Sequence, residues 1–226
     1  LEIIELLAHS PATAHHISLQ LAQRFVSDNP PEALVDRMAK TFLKKDGDIK
    51  EVLRTMYDSP EFWSADTLRA KVKTPLEFVA SAIRATGANV TNAMPLVQTL
   101  NQMGMPLYGA QPPTGYSMKA ETWVNSAALL NRMNFALRLV SGRMPGVQFS
   151  PDALIGGDPG TDADVAVGRL EQALLAGNVS KQTHETIMKQ MNDPEVTQRV
   201  LDDRKRPVNV GVIAGLILGS PEFQRR

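Results

Sequence analysis

The sequence predicts an all-α fold: one irregular multi-helix globular domain of roughly ten helices, with one long Gly/Pro/aromatic loop and no sheet. Three observations predict it. Apolar residues recur at helical spacing through most of the 226 residues. Ser-Pro, Thr-Pro and Asn-Pro pairs stand where those runs begin, which places a capping side chain beside a proline whose missing N–H is harmless at a helix start. No segment sustains the two-residue alternation of a half-buried strand.

The first element begins at once. Leu1-Glu2-Ile3-Ile4-Glu5-Leu6-Leu7 is already in helical rhythm, with no initiator Met and no cap before it. The chain is therefore expected to be the C-terminal fragment of a longer protein, whose missing N-terminal part packs against it. The start lacks the basic stretch and small-residue site of a signal peptide. Ser10-Pro11 opens a helix with Ile17, Leu21 and Phe25 as its buried stripe, and Asn29-Pro30-Pro31 opens one with Leu34, Val35, Met38 and Phe42 inside. Lys44-Lys45 complement that helix's dipole and Gly47 stops it. Asp48 with Glu51 resembles a capping box for a helix through Tyr57. Ser59-Pro60 repeats the Ser-Pro start and leads into Phe62 and Trp63.

Thr74-Pro75 opens a helix carrying Phe78, Val79, Ala82 and Ile83, ending near Gly87; the next runs from Asn92 to Met103. Residues 104–117 form the long irregular stretch. The longest helix is expected from Lys119 to Val140, with Trp123, Ala127, Leu130, Leu137 and Val140 as its apolar stripe. Residues 142–160 read as a loop and a sub-boundary of the domain, with a short helical turn at Pro151 to Ile155. Thr161 caps a helix to Ala176, Ser180 one to Met191, Pro194 begins one to Asp203, and Pro207 starts the last main helix. Tyr57-Asp58-Ser59-Pro60-Glu61-Phe62 and Leu218-Gly219-Ser220-Pro221-Glu222-Phe223 echo each other, which a shared capping solution explains as well as a repeat does.

Composition removes several function classes. Lys+Arg and Asp+Glu number 24 each, so no broad electrostatic footprint for nucleic acid or an anionic membrane is present. No Cys means no disulfide, thiolate zinc site, iron–sulfur cluster or Cys nucleophile. The longest nearly apolar run, Val210 to Gly219, is half the roughly 20 residues that a membrane span needs.

Most catalytic motifs fail. His15 and His16 are adjacent and point about 100° apart on a helix. His184-Glu185 begins like a zincin helix, but Met188 stands where the second ligand belongs. Asp158, Asp162 and Asp164 lack EF-hand spacing and read as a solvated loop that caps the next helix. No nucleophile elbow, Walker loop or dinucleotide glycine pattern occurs. No metal and no cofactor is expected.

The remaining constellation is the long loop together with the helix after it. Tyr108, Tyr116 and Trp123 offer flat apolar walls, while Asn125 and Arg132 offer oriented donors, the usual makeup of a small-ligand pocket. With Glu121 these two donors are expected to fall on one polar stripe of the long helix, at offsets of four and seven. The plainer alternative is a loop that caps the core, with Tyr hydroxyls bonded to backbone and Arg132 salt-bridged to Glu121 or Glu77. Lys71 and Lys73, before the cap Thr74 and the first-turn Glu77, read as a solvated pair with an anion site as the alternative. Gly211, Gly215 and Gly219 form a small-residue face for close helix packing.

Several stretches together resemble a known family. They are Ala8 to Ala14, Arg24-Phe25-Val26-Ser27-Asp28, Asp46-Gly47-Asp48, Ser59-Pro60-Glu61-Phe62-Trp63, Lys71 to Phe78, Pro112 to Tyr116, Trp123-Val124-Asn125-Ser126 with Arg132, and Ser220-Pro221-Glu222-Phe223-Gln224. Their order and near end-to-end spread resemble the bacterial family called domain of unknown function 1800. The resemblance implies a bacterial protein, often exported or envelope-associated and often encoded near a second uncharacterised family. It carries no established activity and no catalytic residues.

Two functional expectations result. The first is a non-enzymatic module that binds a partner protein or supports an envelope assembly. The second is a hydrolase or small-ligand enzyme at the 104–132 loop and helix, with Glu77 or Glu121 as acid or base after burial raises its pKa.

Overall fold

A computed structural model of the chain describes residues 1–156, 162–191 and 209–226. It is helical almost throughout and falls into two compact units, the first made of 1–72, 117–122 and 226, the second of 73–116 and 123–225.

In the first unit, α1 (Glu2–Ala8) is followed by α2 (Pro11–Phe25), α3 (Glu32–Lys44) and α4 (Ile49–Tyr57). The Ser10 hydroxyl accepts the Ala12 N–H at 3.3 Å and caps α2. The buried face of α2 is Ala14, Ser18 and Ala22, one position away from the expected Ile17, Leu21 and Phe25. Three small side chains bring α2 close to α3, whose Leu34, Val35, Met38 and Phe42 fill the space together with Val52 and Met56 of α4. Ile17 and Leu21 pack at the margin of this core, and Phe25 is exposed. The chain leaves α3 through Gly47, whose φ of 75° is open to glycine without strain and whose amide reaches the Phe42 carbonyl at 2.8 Å. Asp48 caps α4 through the Lys50 N–H at 2.9 Å. The expected capping box does not form. The Asp48 amide is already bonded to the Lys45 carbonyl, and Glu51 pairs with Arg54 instead.

Residues 58–69 run as successive turns. Lys71, expected as half of a solvated pair, is only 4% exposed. Its ammonium is paired with Asp28 and donates to the Met118 carbonyl at 2.8 Å, while the other Asp28 oxygen accepts the Ala120 N–H at 2.6 Å. Burying a lysine is tolerable only with such partners. The two Ser-Pro-Glu-Phe stretches share one capping geometry: the Ser59 hydroxyl accepts the Phe62 N–H at 3.3 Å, and the Ser220 hydroxyl accepts the Phe223 N–H at 3.3 Å.

The second unit holds α5 (Pro75–Thr86), α6 (Met94–Gln102), α7 (Ser126–Val140), α8 (Pro151–Ile155), α9 (Ala163–Leu175), α10 (Lys181–Met191) and α11 (Val210–Gly219). Its core joins Phe78, Phe135, Leu139, Leu170, Ile213 and Ile217. Contrary to the expectation of no sheet, β1 (Asn89–Val90) pairs antiparallel with β2 (Val147–Gln148), Val90 opposite Val147. Two residues per strand are too few for any alternation to show in the sequence.

The long helix also starts later than expected. Residues 120–122 make a 3-10 turn, and α7 begins only at Ser126, because the Asn125 side chain accepts the Ala128 N–H at 2.8 Å as its cap. The buried face of α7 is accordingly Arg132, Phe135, Ala136 and Leu139, and the expected stripe residues Leu130 and Leu137 are exposed. Asp162 caps α9 through the Asp164 N–H at 2.9 Å, and Asn209 caps α11 through the Val212 N–H at 3.2 Å. Thr161, Asp158, the helix expected over 194–203 and the start expected at Pro207 lie outside the described residues. No described helix is long and apolar enough to cross a membrane.

The glycine face of α11 packs on α7. A Cβ on Gly211 would stand 3.0 Å from the Val140 carbonyl oxygen, whereas one on Gly219 would meet only Met133, at 3.5 Å. Gly211→Ala is therefore expected to destabilise the protein by about 1–2 kcal/mol, since a backbone atom cannot yield. Gly219→Ala is expected to be neutral or stabilising by up to about 1 kcal/mol. Urea midpoints of the two variants check this contrast.

A second prediction concerns pH. Burial pushes the Glu222 carboxyl up, but hydrogen bonds from the Ser180 N–H at 3.1 Å and the Thr183 hydroxyl at 3.0 Å outweigh it and hold the group below its ordinary value of 4.5. A carboxyl depressed in the folded state stabilises it above the unfolded pKa and loses that stabilisation as the pH falls. Glu222→Gln is thus expected to lower stability by about 1 kcal/mol at neutral pH. The difference from the parent should shrink as the pH drops below 4.5, as thermal unfolding across an acid series would show.

Candidate functional site

Six of the seven residues singled out from the sequence separate into three groups; the seventh, Asn125, is the cap of α7. Tyr108 is fully exposed, with a left-handed φ of 57°. Tyr116 and Trp123 meet edge to face with ring centroids 6.1 Å apart, and the Tyr116 hydroxyl donates to the Pro106 carbonyl at 2.6 Å. Trp123 is buried. The third group surrounds Arg132, which is 2% exposed. Its guanidinium donates to the Gln224 side-chain oxygen at 2.7 Å and to the Lys73 carbonyl at 2.7 Å, and lies 5.2 Å from the Phe78 ring centre. The Lys73 ammonium sits 3.9 Å over the Phe223 ring. Glu77 accepts from the Thr74 N–H at 2.8 Å and the Thr74 hydroxyl at 3.0 Å, completing a capping box for α5. Burial pushes the Arg132 pKa down to about 10, against the pull of the Glu77 carboxylate, so the group stays charged at neutral pH.

The expected polar stripe is not a helix face, because Glu121 lies in the 3-10 turn and Asn125 at the cap. Asn125 and the Arg132 guanidinium direct their polar atoms at partners within the second unit.

The surface that sequence reasoning missed lies in the first unit. Phe25, Tyr57, Phe62 and Trp63 form an aromatic ladder. Ring centroids are 6.3 Å apart between Phe25 and Tyr57, 4.9 Å between Tyr57 and Phe62, and 5.1 Å between Phe62 and Trp63. Trp63 is 75% exposed, yet its indole N–H donates to the Tyr57 carbonyl at 2.7 Å, which fixes the ring against the ladder. Beside it Leu68 is 77% exposed and Arg69 holds a left-handed φ of 56°. Phe25, Phe62, Trp63, Leu68 and Arg69 line a cavity of about 470 Å³, with Arg24, Lys71 and Arg226 also on its wall. The adjacent aromatic pair Phe62-Trp63, directly after a capped turn, was the available signal.

A cavity of about 550 Å³ in the second unit is lined by Asn131, Asn134, Arg138 and Arg143 among others. Its arginines flank the C-terminal end of α7, where cations complement the helix dipole without any ligand. Among the described residues no group of three or more His, Asp or Glu is placed to hold a metal ion.

The family profile described as Protein of unknown function (DUF1800) matches residues 1–225. The chain belongs to that family. No curated protein and no solved structure matches the chain. The activity of this DUF1800 member has therefore to be sought in its own geometry.

Two substitutions separate structure from surface around Arg132. Arg132→Met leaves the Lys73 carbonyl and the Gln224 side chain without their donor, and is expected to cost about 3 kcal/mol. Tyr108→Ala should move stability by less than about 0.5 kcal/mol. Denaturant midpoints measure both.

Proposed function

We propose that this DUF1800 chain is a protein-binding module that docks a partner on the aromatic surface of its first unit. One observation carries the reading: Trp63 is three-quarters exposed but held by a hydrogen bond to Tyr57, so its large apolar face is presented to solvent in a fixed orientation. A pre-oriented indole loses little freedom when a partner covers it, which is why tryptophan dominates binding hot spots. Exposed Leu68 beside it, and exposed Ile3, Ile4, Leu6 and Leu7 on α1, add to the apolar surface of the same unit. Exposed apolar area of this kind marks an interaction site more often than an inert surface. A part in an envelope-associated assembly is a finer reading that rests on the family resemblance alone.

The enzyme alternative at the 104–132 loop has less support. Tyr116 and Arg132, its proposed wall and donor, each hold a partner inside the second unit, and Glu77, its proposed acid or base, is engaged by Thr74.

The test is quantitative capture from the source cell's extract by the immobilised chain and by Trp63→Ala, each checked for folding by circular dichroism. The expected outcome is a protein retained by the parent and reduced at least tenfold on Trp63→Ala, a loss of about 1.4 kcal/mol. Equal retention by the two would overturn the reading.

A further inference from the structure

The cavity of about 550 Å³ in the second unit carries charge and hydrogen-bonding groups that the fold itself leaves unused. Asn131, Asn134 and Arg138 follow one another on α7 at steps of three and four, so they share one face of that helix. With Gln102, the last residue of α6, and Arg143 they form much of the polar wall. The frame of this wall is fixed. The Asn131 side chain donates to the Gln102 carbonyl at 3.0 Å, and the Arg143 N–H donates to the Arg138 carbonyl at 3.2 Å, so both arginines leave the backbone from one closed turn. Among the described residues neither guanidinium has a hydrogen bond or an ion pair, and neither do the side-chain amides of Asn134 and Gln102. No Asp or Glu among the described residues lines the cavity. Arg37 and Arg54, by contrast, are each paired with a glutamate. The C-terminal end of α7 favours cationic charge, but a helix dipole occupies none of the N–H donors of a guanidinium.

We propose that this cavity binds a small phosphorylated polyol of the sugar phosphate class, with its phosphate on the Arg138 and Arg143 guanidiniums and its hydroxyls on the Asn134 and Gln102 amides. The site belongs to the second unit alone and is independent of partner docking at Trp63. A phosphate monoester carries close to two negative charges at neutral pH and offers three acceptor oxygens, enough for two guanidinium forks. A carboxylate has a single charge and two oxygens, which one fork already satisfies. Arginine suits the task better than lysine because its planar fork matches the phosphate and gives up water more readily than an ammonium. The amides of Asn134 and Gln102 can each donate and accept, as recognition of a hydroxyl requires. The cavity volume lies in the range of small-molecule sites. The balanced charge of the whole chain is no obstacle, since one small dianion needs only a local pair of cations.

The experiment titrates the whole chain by calorimetry, in phosphate-free buffer of low ionic strength, with glucose 6-phosphate, inorganic phosphate, glucose and glucuronate. Glucose 6-phosphate is expected to bind with a Kd below about 1 mM, and each of the other three at least about tenfold more weakly. Its affinity should fall as salt rises, because both arginines are solvent-exposed. Arg138→Gln and Arg143→Gln should each weaken it at least about tenfold while circular dichroism stays that of the parent. Arg84→Gln, which removes an exposed arginine that is not on the wall, should leave the affinity unchanged. Nitrogen-15 spectra of the parent give a reading that needs no variant: glucose 6-phosphate should shift the side-chain amides of Asn134 and Gln102.

The proposal is overturned if glucose 6-phosphate gives no heat at ten times the expected Kd, or if the Arg138→Gln, Arg143→Gln double variant binds it as the parent does. It is equally overturned if Arg84→Gln weakens binding as much as Arg138→Gln, which would mark a general attraction of anions to the surface. Equal affinity for glucuronate removes the phosphate from the assignment, and equal affinity for inorganic phosphate removes the polyol. None of these outcomes bears on capture of a partner at Trp63.

Discussion

The second unit depends on one buried cation. Arg132 projects from α7 into a core of phenylalanine and leucine, where an unpaired charge would be expelled or would unfold its surroundings. It is retained because three features meet it: a backbone carbonyl at Lys73, the side-chain oxygen of Gln224, and the face of Phe78. Two of those residues have further obligations. The Lys73 amide donates to the Gln224 carbonyl at 2.8 Å, and the Gln224 side-chain amide donates to the Leu218 carbonyl at 3.2 Å. The residues that enter α5 and those that leave α11 are therefore fixed to the middle of α7 by one guanidinium. A lysine there would supply the charge but not the fork that reaches two acceptors at once.

The first unit has no counterpart to this charge at its centre. Its core is assembled by the close approach of small residues on α2 to large ones on α3, and its polar anchor, the Lys71–Asp28 pair, ties the turns after α4 to residues 117–122. What the unit leaves outside is an ordered aromatic ladder ending in a pinned, exposed indole. Burying Phe25 and Trp63 would favour folding, as each exposed aromatic forgoes a few kcal/mol of hydrophobic stabilisation. That the exposed indole is nevertheless held in one orientation by its hydrogen bond to Tyr57 is the reason for reading this surface as a place where another protein binds.

Membership of the DUF1800 family fixes which proteins this chain resembles but brings no chemistry with it. Of the residues that the resemblance emphasised, Tyr116, Trp123, Asn125, Arg132 and Glu77 take part respectively in a hydroxyl bond, a ring contact, a cap, a buried anchor and a capping box within the second unit. Most of them direct their polar atoms inward, which looks the same in a sequence whether the target is a ligand or a neighbouring carbonyl.

The sequence by itself determined the class of fold and most helix starts, because those depend on local physics. Ser10, Asp48, Thr74 and Ser180 cap the helices they precede, and Gly47 and Gly87 end theirs in left-handed conformations. It also determined the close packing of α11, since glycines spaced four apart allow little else in a helix so apolar. Tertiary structure alone decided which face of α2 and of α7 is buried, that a two-residue strand pair forms, that Lys71 is inside, and that Trp63 is outside. Most of these are set by partners distant along the chain: Asp28 for Lys71, Gln224 for Arg132, Gln148 for Asn89. A local pattern of apolar residues states that a helix has a buried side, but the shape of what packs against it selects which side that is.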